Sequence, residues 1–261
     1  MRAEAANAAV TVARLGYSAA FAGYLGSDPF GEAHFAELVE MGVATDLINR
    51  GQANTSLSAI LVKPDGQRTV VNFQGHKHLA AEDSQKLLQI EPRVILFDGY
   101  EPGVSPPLAR AAQEKGIQTV LDAGSVHQGT IELSPLVDYL VCSEKFAHDF
   151  TGEADASLAL AALRRYSPNV VVTLGERGVI WQNSEGRGRL PAFEVNVVDS
   201  TGAGDVFHGA FAACIAAQTP WLKTLEIASA AAAICCKTMG ARNGIPTMAE
   251  AQSLLSAKKG L

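Results

Sequence analysis

Between Val197 and Phe211 the chain reads VVDSTGAGDVFHGAF, placing Gly202, Ala203, Gly204 and Asp205 between a β-branched run and an apolar segment. Glycines at these positions let the backbone come close to a ligand and turn successive N–H groups toward one point. The segment that follows, DVFHGAFAACIAA, has helical apolar spacing. The N–H groups therefore fall at a helix N-terminus, where free donors and the helix dipole favour an anion such as phosphate. Asp205 has two readings at this level: a carboxylate favoured by the dipole in a first turn, or a base beside the bound anion.

The elements that must hold this stretch are legible upstream. RVILFDG, IQTVLDAG, DYLVCS and NVVVTLG are short, nearly continuous apolar runs separated by helix-length segments such as SPPLARAAQEKG and ASLALAALRRYS. Strands of this kind belong to a parallel sheet covered by helices on both faces, so the fold class is α/β with right-handed crossovers. TSLSAILVKPDGQRTVVNFQG departs from the alternation. Its two strand-like runs around Pro64-Asp65-Gly66 predict a β-hairpin projecting over residues 55–75 as a small flap. From Ala203 to Ala257 the pattern is helical, with breaks at Pro220 and around Gly240 to Pro246. No linker or repeat divides the chain, which predicts a single domain over 1–261.

Composition narrows the partners. A net charge of -6 without Lys/Arg runs argues against nucleic acid or an anionic membrane surface, both of which need concentrated positive charge. The longest apolar tract, Gly209 to Cys236, is broken by Gln218, Pro220 and Lys223, and Glu4, Asn7 and Arg14 interrupt any leader-like segment. A cytoplasmic protein acting on a small molecule is the expectation. Cys142, Cys214, Cys235 and Cys236 lack zinc-site spacing and read as reduced, mostly buried thiols.

DSTGAGDVFHGAF resembles the C-terminal signature of the ribokinase-like carbohydrate kinases, the PfkB family, and the resemblance runs in order along the chain. AANAAVTVARLG with GYLGSDPFGE is similar to the family's N-terminal signature, VVVTLGERGVIW to its strand and turn near the nucleotide, and KTMGARNGIPT to its closing turn. The hairpin falls where the family has its sugar-covering lid. The resemblance implies a ribokinase-like fold and ATP-dependent phosphorylation of a hydroxyl on a sugar or sugar-like molecule. It makes Asp205 the general base, the amides of Gly202, Ala203, Gly204 and Asp205 an anion hole, and Asn7 a substrate-binding residue. Thr173, Gly175 and Gly178 would lie beside ATP. Backbone oxygens near Asp199 and Thr201, with the turn at Gly240, would hold a monovalent cation such as K+, a trait of part of the family. Mg2+ would be held by phosphates and water, with no protein metal ligand assigned. Lid-mediated homodimers are common in the family.

The chain also departs from that pattern. Family members carry a first strand, a sugar-binding Asp and a Gly-Gly pair before the Asn-bearing helix, whereas here Met1, Arg2 and Ala3 stand at the pair. The expectation is either a start upstream of Met1 or a reduced acceptor site with an exposed sheet edge. In LVCSEKFAHDF, Ser143 and Phe146 replace the Asn and Glu of the family's N-x-x-E, with Glu144 nearby. DVFHGA paired with GARNGIP is more similar to the branch that includes sulfofructose kinase than to ribokinase. An anionic acceptor would need cations, for which Arg68, Lys77 and Arg242 are candidates.

His76 and His78 read as a solvated loop, Trp181 and Trp221 as packing, and His208 as either a neighbour of Asp205 or a packed ring. A second functional class stays open: a catalytically weakened relative that binds nucleotide or carbohydrate and serves as scaffold or regulator. A dehydrogenase lacks its G-x-G-x-x-G after an early strand, and a Walker-type NTPase its G-K-[ST].

Overall fold

The computed structural model of the chain describes residues 4–62, 68–73, 75, 78–80 and 82–259. The chain runs through α1 (Glu4–Arg14), β1 (Gly23–Gly26), α2 (Pro29–Glu40), β2 (Ile48–Gly51), β3 (Leu57–Val62) and β4 (Arg68–Phe73). Strands and helices then alternate: α3 (Asp83–Gln89), β5 (Val94–Phe97), α4 (Ser105–Glu114), β6 (Gln118–Ala123), α5 (Gln128–Leu133), β7 (Tyr139–Ser143), α6 (Glu144–Thr151), α7 (Ala156–Leu163) and β8 (Asn169–Thr173). β9 (Val179–Gln182), β10 (Arg187–Leu190), α8 (Ala203–Ala216), α9 (Trp221–Cys235) and α10 (Met248–Lys259) complete it.

The central sheet has the order β10-β9-β8-β7-β6-β5, parallel from β5 to β8 and antiparallel at β9 and β10. The four runs read as strands in the sequence are β5 to β8. Alternation along them sorts the core into two layers. Val120, Val141 and Val171 pack on one face with Val206, Phe207 and Phe211 of α8. Leu121, Leu140, Val170 and Val172 pack on the other with Leu108 of α4, Phe146 of α6 and Leu163 of α7. Burial on both faces is why these strands read as unbroken apolar runs.

Two small sheets stand apart. β1 pairs in parallel with β2, and β3 pairs with β4 in an antiparallel register from Leu57↔Phe73 to Val62↔Arg68. The hairpin expected over 55–75 is therefore present, while its Pro64-Asp65-Gly66 turn lies outside the described residues. Leu57, Leu61, Val71 and Phe73 share one exposed face of it. β5 forms an edge of the central sheet, half-buried from Val94 to Leu96. Among the described residues no helix is long and apolar enough to cross a membrane.

Candidate active site

The GAGD stretch is a tight turn that starts α8. Gly202 is the N-cap with φ 79°, a left-handed conformation that suits glycine, and a Cβ there would lie 2.8 Å from Cβ of Ala241. Its carbonyl accepts the Val206 N–H at 2.8 Å, the first full turn of the helix. The amides of Ala203, Gly204 and Asp205 form the first turn, whose donors have no acceptor within the helix. Asp199 fastens the approach: Oδ1 accepts the Thr201 N–H and Oδ2 the Gly240 N–H, each at 2.9 Å. The Thr201 hydroxyl is buried with no hydrogen-bond partner among the described residues. The carbonyl oxygens of Thr201 and Ala241 lie 4.0 and 3.8 Å from Cys235 Sγ, so the two turns of this corner face the same thiol.

Asp205 is held from the other side by α1. Gly209 lets the two helices touch backbone to backbone, since a Cβ there would sit 2.5 Å from the Ala8 carbonyl oxygen. That approach brings Asn7 to Asp205, and the Asn7 Nδ2 donates to Asp205 Oδ2 at 2.7 Å. The Asn7 side-chain Oδ1 accepts from Arg242 Nε at 2.8 Å. Arg242 also pairs with Glu37 and donates to His34 Nε2 at 2.7 Å. Burial, then the Arg242 charge, pushes His34 down to about 4, which keeps its ring neutral and able to accept that bond.

Arg242 is thus engaged by three partners with its side chain only 11% exposed. This places it as a support for Asn7 rather than a free cation for an anionic acceptor. Of the other two cationic candidates, the Arg68 side chain and Lys77 lie outside the described residues, as does His76.

The other residues expected at the site lie at the carboxyl ends of β7 and β8. Thr173 ends β8 in register with Ser143 at the end of β7, and the turn Gly175–Arg177 leads through Gly178 into β9. Ser143 caps α6, accepting the Phe146 N–H at 3.0 Å and donating to the Gly124 carbonyl at 2.9 Å. Phe146 is fully buried in the core, so it has no part in metal handling, and Glu144 pairs with Arg177. All four cysteines are free thiols; Cys142, Cys214 and Cys235 are buried and Cys236 half-buried. Trp181 and Trp221 pack edge to face 5.8 Å apart.

Two strand-end carboxylates were not singled out in the sequence. Asp98 follows β5, and Asp122 sits on β6, 5% exposed, with Oδ2 lying 3.2 Å from His208 Nδ1. Burial, then the nearby charges of Asp205 and Asp98, hold Asp122 well above the usual carboxylate range. The available signal was position: ligands of open α/β sheets gather at the carboxyl ends of strands, where FDG and VLDAG both place an Asp.

A family model described as pfkB family carbohydrate kinase matches residues 4–248. A ribokinase of Lactococcus lactis is 28% identical over 96% of this chain and 84% of its own length. The crystal structure of a putative ribokinase from Agrobacterium tumefaciens superposes with a TM-score of 0.90 at 27% identity, covering 99% of this chain and 87% of that one. Arabidopsis thaliana ribokinase, solved with ribose and ATP, gives a TM-score of 0.85 at 25% identity over 97% of this chain and 86% of its own.

Proposed function

This chain belongs to the pfkB family of carbohydrate kinases, and we propose that it transfers the γ-phosphoryl group of ATP to a hydroxyl of a neutral sugar, with Asp205 as general base. The observation that carries this reading is the Asn7–Asp205 bond of 2.7 Å, which fixes a carboxylate in the first turn of a helix, where backbone amides have no acceptor within the helix. The base accepts the proton of the attacking hydroxyl. The amides of Gly202 to Asp205 face the charge that gathers on the transferred group, and phosphoryl transfer depends mainly on such positioning and neutralisation.

ATP is inferred from the bound ATP of the Arabidopsis relative, and in this reading the turn of Thr173, Gly175 and Gly178 at the carboxyl end of β8 contacts it. Mg2+ enters in this reading with the nucleotide, held by phosphate oxygens and water. Glu144, joined to Arg177, suits contact with it through water. A monovalent cation would be held in this reading by backbone oxygens near Asp199 and Thr201, where the buried Thr201 hydroxyl has no hydrogen-bond partner among the described residues. It would neutralise charge beside the anion hole.

A neutral acceptor is favoured because Arg242 already balances Glu37 and because a relative solved in complex is named with ribose. The chain acts in this reading as one kinase domain over 1–261, cytoplasmic, with 55–75 as the lid. The exposed apolar face of Leu57, Leu61, Val71 and Phe73 supports pairing with a second copy.

The test is ADP release by the purified protein across ribose, fructose, other neutral sugars, sugar phosphates, sulfonated sugars and nucleosides. Turnover with a neutral sugar is expected. ATP binding without turnover on any acceptor favours the scaffold reading instead, and a preference for a charged acceptor overturns the neutral one.

A further inference from the structure

Behind Asp205, on the side away from Asn7, the His208 ring is 3% exposed and set among three oxygens. Nδ1 lies 2.6 Å from the Gly204 carbonyl oxygen and 3.2 Å from Asp122 Oδ2, and Nε2 lies 3.1 Å from the Val141 carbonyl oxygen. A neutral imidazole has one N–H and one bare lone pair. Whichever tautomer it took, one ring nitrogen would turn a lone pair toward a carbonyl oxygen in a site closed to water.

We propose that His208 and Asp122 form a buried imidazolium–carboxylate pair that positions the anion-hole turn and cancels a negative charge behind Asp205. Each partner alone is penalised: burial drives the ring toward its neutral form and the carboxyl toward its acid form. Together they are neutral, and both ring nitrogens donate. The ring then ties the Gly204 carbonyl to the Val141 carbonyl of β7, and the Asp122 carboxylate of β6, whose Oδ2 has no hydrogen-bond partner among the described residues, lies beside Nδ1 as its counter-charge. The other titratable groups facing the pair are Asp205 on α8, Asp98 after β5 and the Cys142 thiol on β7, which burial pushes up out of the titrating range. Two of these are further carboxylates, so an uncompensated Asp122 would add to a negative cluster. Both residues act through Asp205 and the turn, so they are positioning residues.

This inference rests on Asp205 serving as the base. The first experiment is the pH profile of kcat/KM by ADP release with ATP and whichever of ribose or fructose turns over faster, for wild type, His208→Asn, Asp122→Asn and the double variant. His208→Asn removes the one cation from the cluster of Asp122, Asp205 and Asp98, whose carboxyls then share a proton, so the acid limb is expected to move up by about one pH unit. The double variant is expected to return it to within a few tenths of a unit. An acid limb that is the same in all four proteins overturns the inference, because a merely structural pair would not move it.

The second experiment needs no activity: 15N spectra of histidine-labelled wild type at pH 7 are expected to show both His208 nitrogens protonated, falling to one in Asp122→Asn. A bare nitrogen in wild type overturns the pair. Asp205→Ala separates the two failures. Wild-type turnover in that variant sinks the base assignment, whereas an inactive Asp205→Ala together with an acid limb that does not move in the His208 and Asp122 variants sinks the pair alone.

Discussion

The proposed phosphate corner and the proposed acceptor side of this molecule are built in opposite ways. The first is one contiguous stretch, Asp199 to Asp205, seated against the central sheet and sealed by a helix whose residues from Val206 to Ile215 are all buried. The second is assembled from Asn7 on α1, His34 and Glu37 on α2 and Arg242 before α10, with the two-stranded hairpin and its exposed apolar face as a separate small sheet. Binding a phosphate asks only for backbone amides at a helix start, so a short tight turn suffices. Recognising a particular hydroxylated molecule asks for side chains from several directions, so it is spread over the chain.

If the phosphate corner is the invariant engine, damage there should dominate. Asp205→Ala is expected to cost about 10² to 10⁴ in kcat, the usual worth of a general base, while leaving the thermal midpoint close to that of wild type. ADP release and a melting curve measure both, and a variant with wild-type turnover would break the contrast outright. Gly202→Ala should come next. It forces a side chain into a left-handed φ of 79° and against Ala241 at 2.8 Å, so a loss of about 1–3 kcal/mol in unfolding free energy is expected, together with reduced turnover. Unchanged stability by denaturant titration would mean that the turn opens at no cost.

The same contrast explains what could be read in the sequence. A contiguous motif is visible in one dimension, so the role of Gly202 and Gly204 and the strand identities of β5 to β8 followed from residue type and alternation. Asn7 was legible by resemblance to a signature, but its bond to Asp205 spans 198 positions, and nothing local announces it. Arg242 read as a free cation because charge alone does not reveal that Glu37 and His34 converge on it. Asp122 and His208 lie on different elements and acquire meaning only when β6 and α8 pack. The antiparallel turn-back at β9 and β10 was likewise hidden, since a buried strand reads the same in either direction.

A smaller effect is expected where the acceptor side joins the main body. Asp28 caps α2 through the Gly31 N–H at 2.8 Å and reaches the start of the hairpin through the Thr55 N–H at 2.7 Å. These donors, Thr55 first, hold its carboxyl below the usual range. A lowered folded-state pKa means that the contribution is complete above the ordinary carboxylate range and fades as pH falls through it toward the lowered value. Asp28→Asn should therefore melt lower than wild type at neutral pH and converge with it in acid. Parallel melting curves across that window would show that Asp28 does not tie the hairpin to the body.

The mildest change should be on the hairpin's outer face. Val71 is 58% exposed there, opposite Ala59 and on the same face as Leu57, Leu61 and Phe73. Val71→Ser removes apolar surface that is already in water, so unfolding free energy should move by no more than about 0.5 kcal/mol. A lid works by closing over the acceptor, and that is where its loss should register. KM for the sugar is expected to rise while kcat and KM for ATP stay within about twofold, because binding made equally in ground and transition state affects KM alone. If kcat falls instead, the hairpin contributes to the transition state itself, and the division between a fixed phosphate corner and an adjustable acceptor side would have to be redrawn.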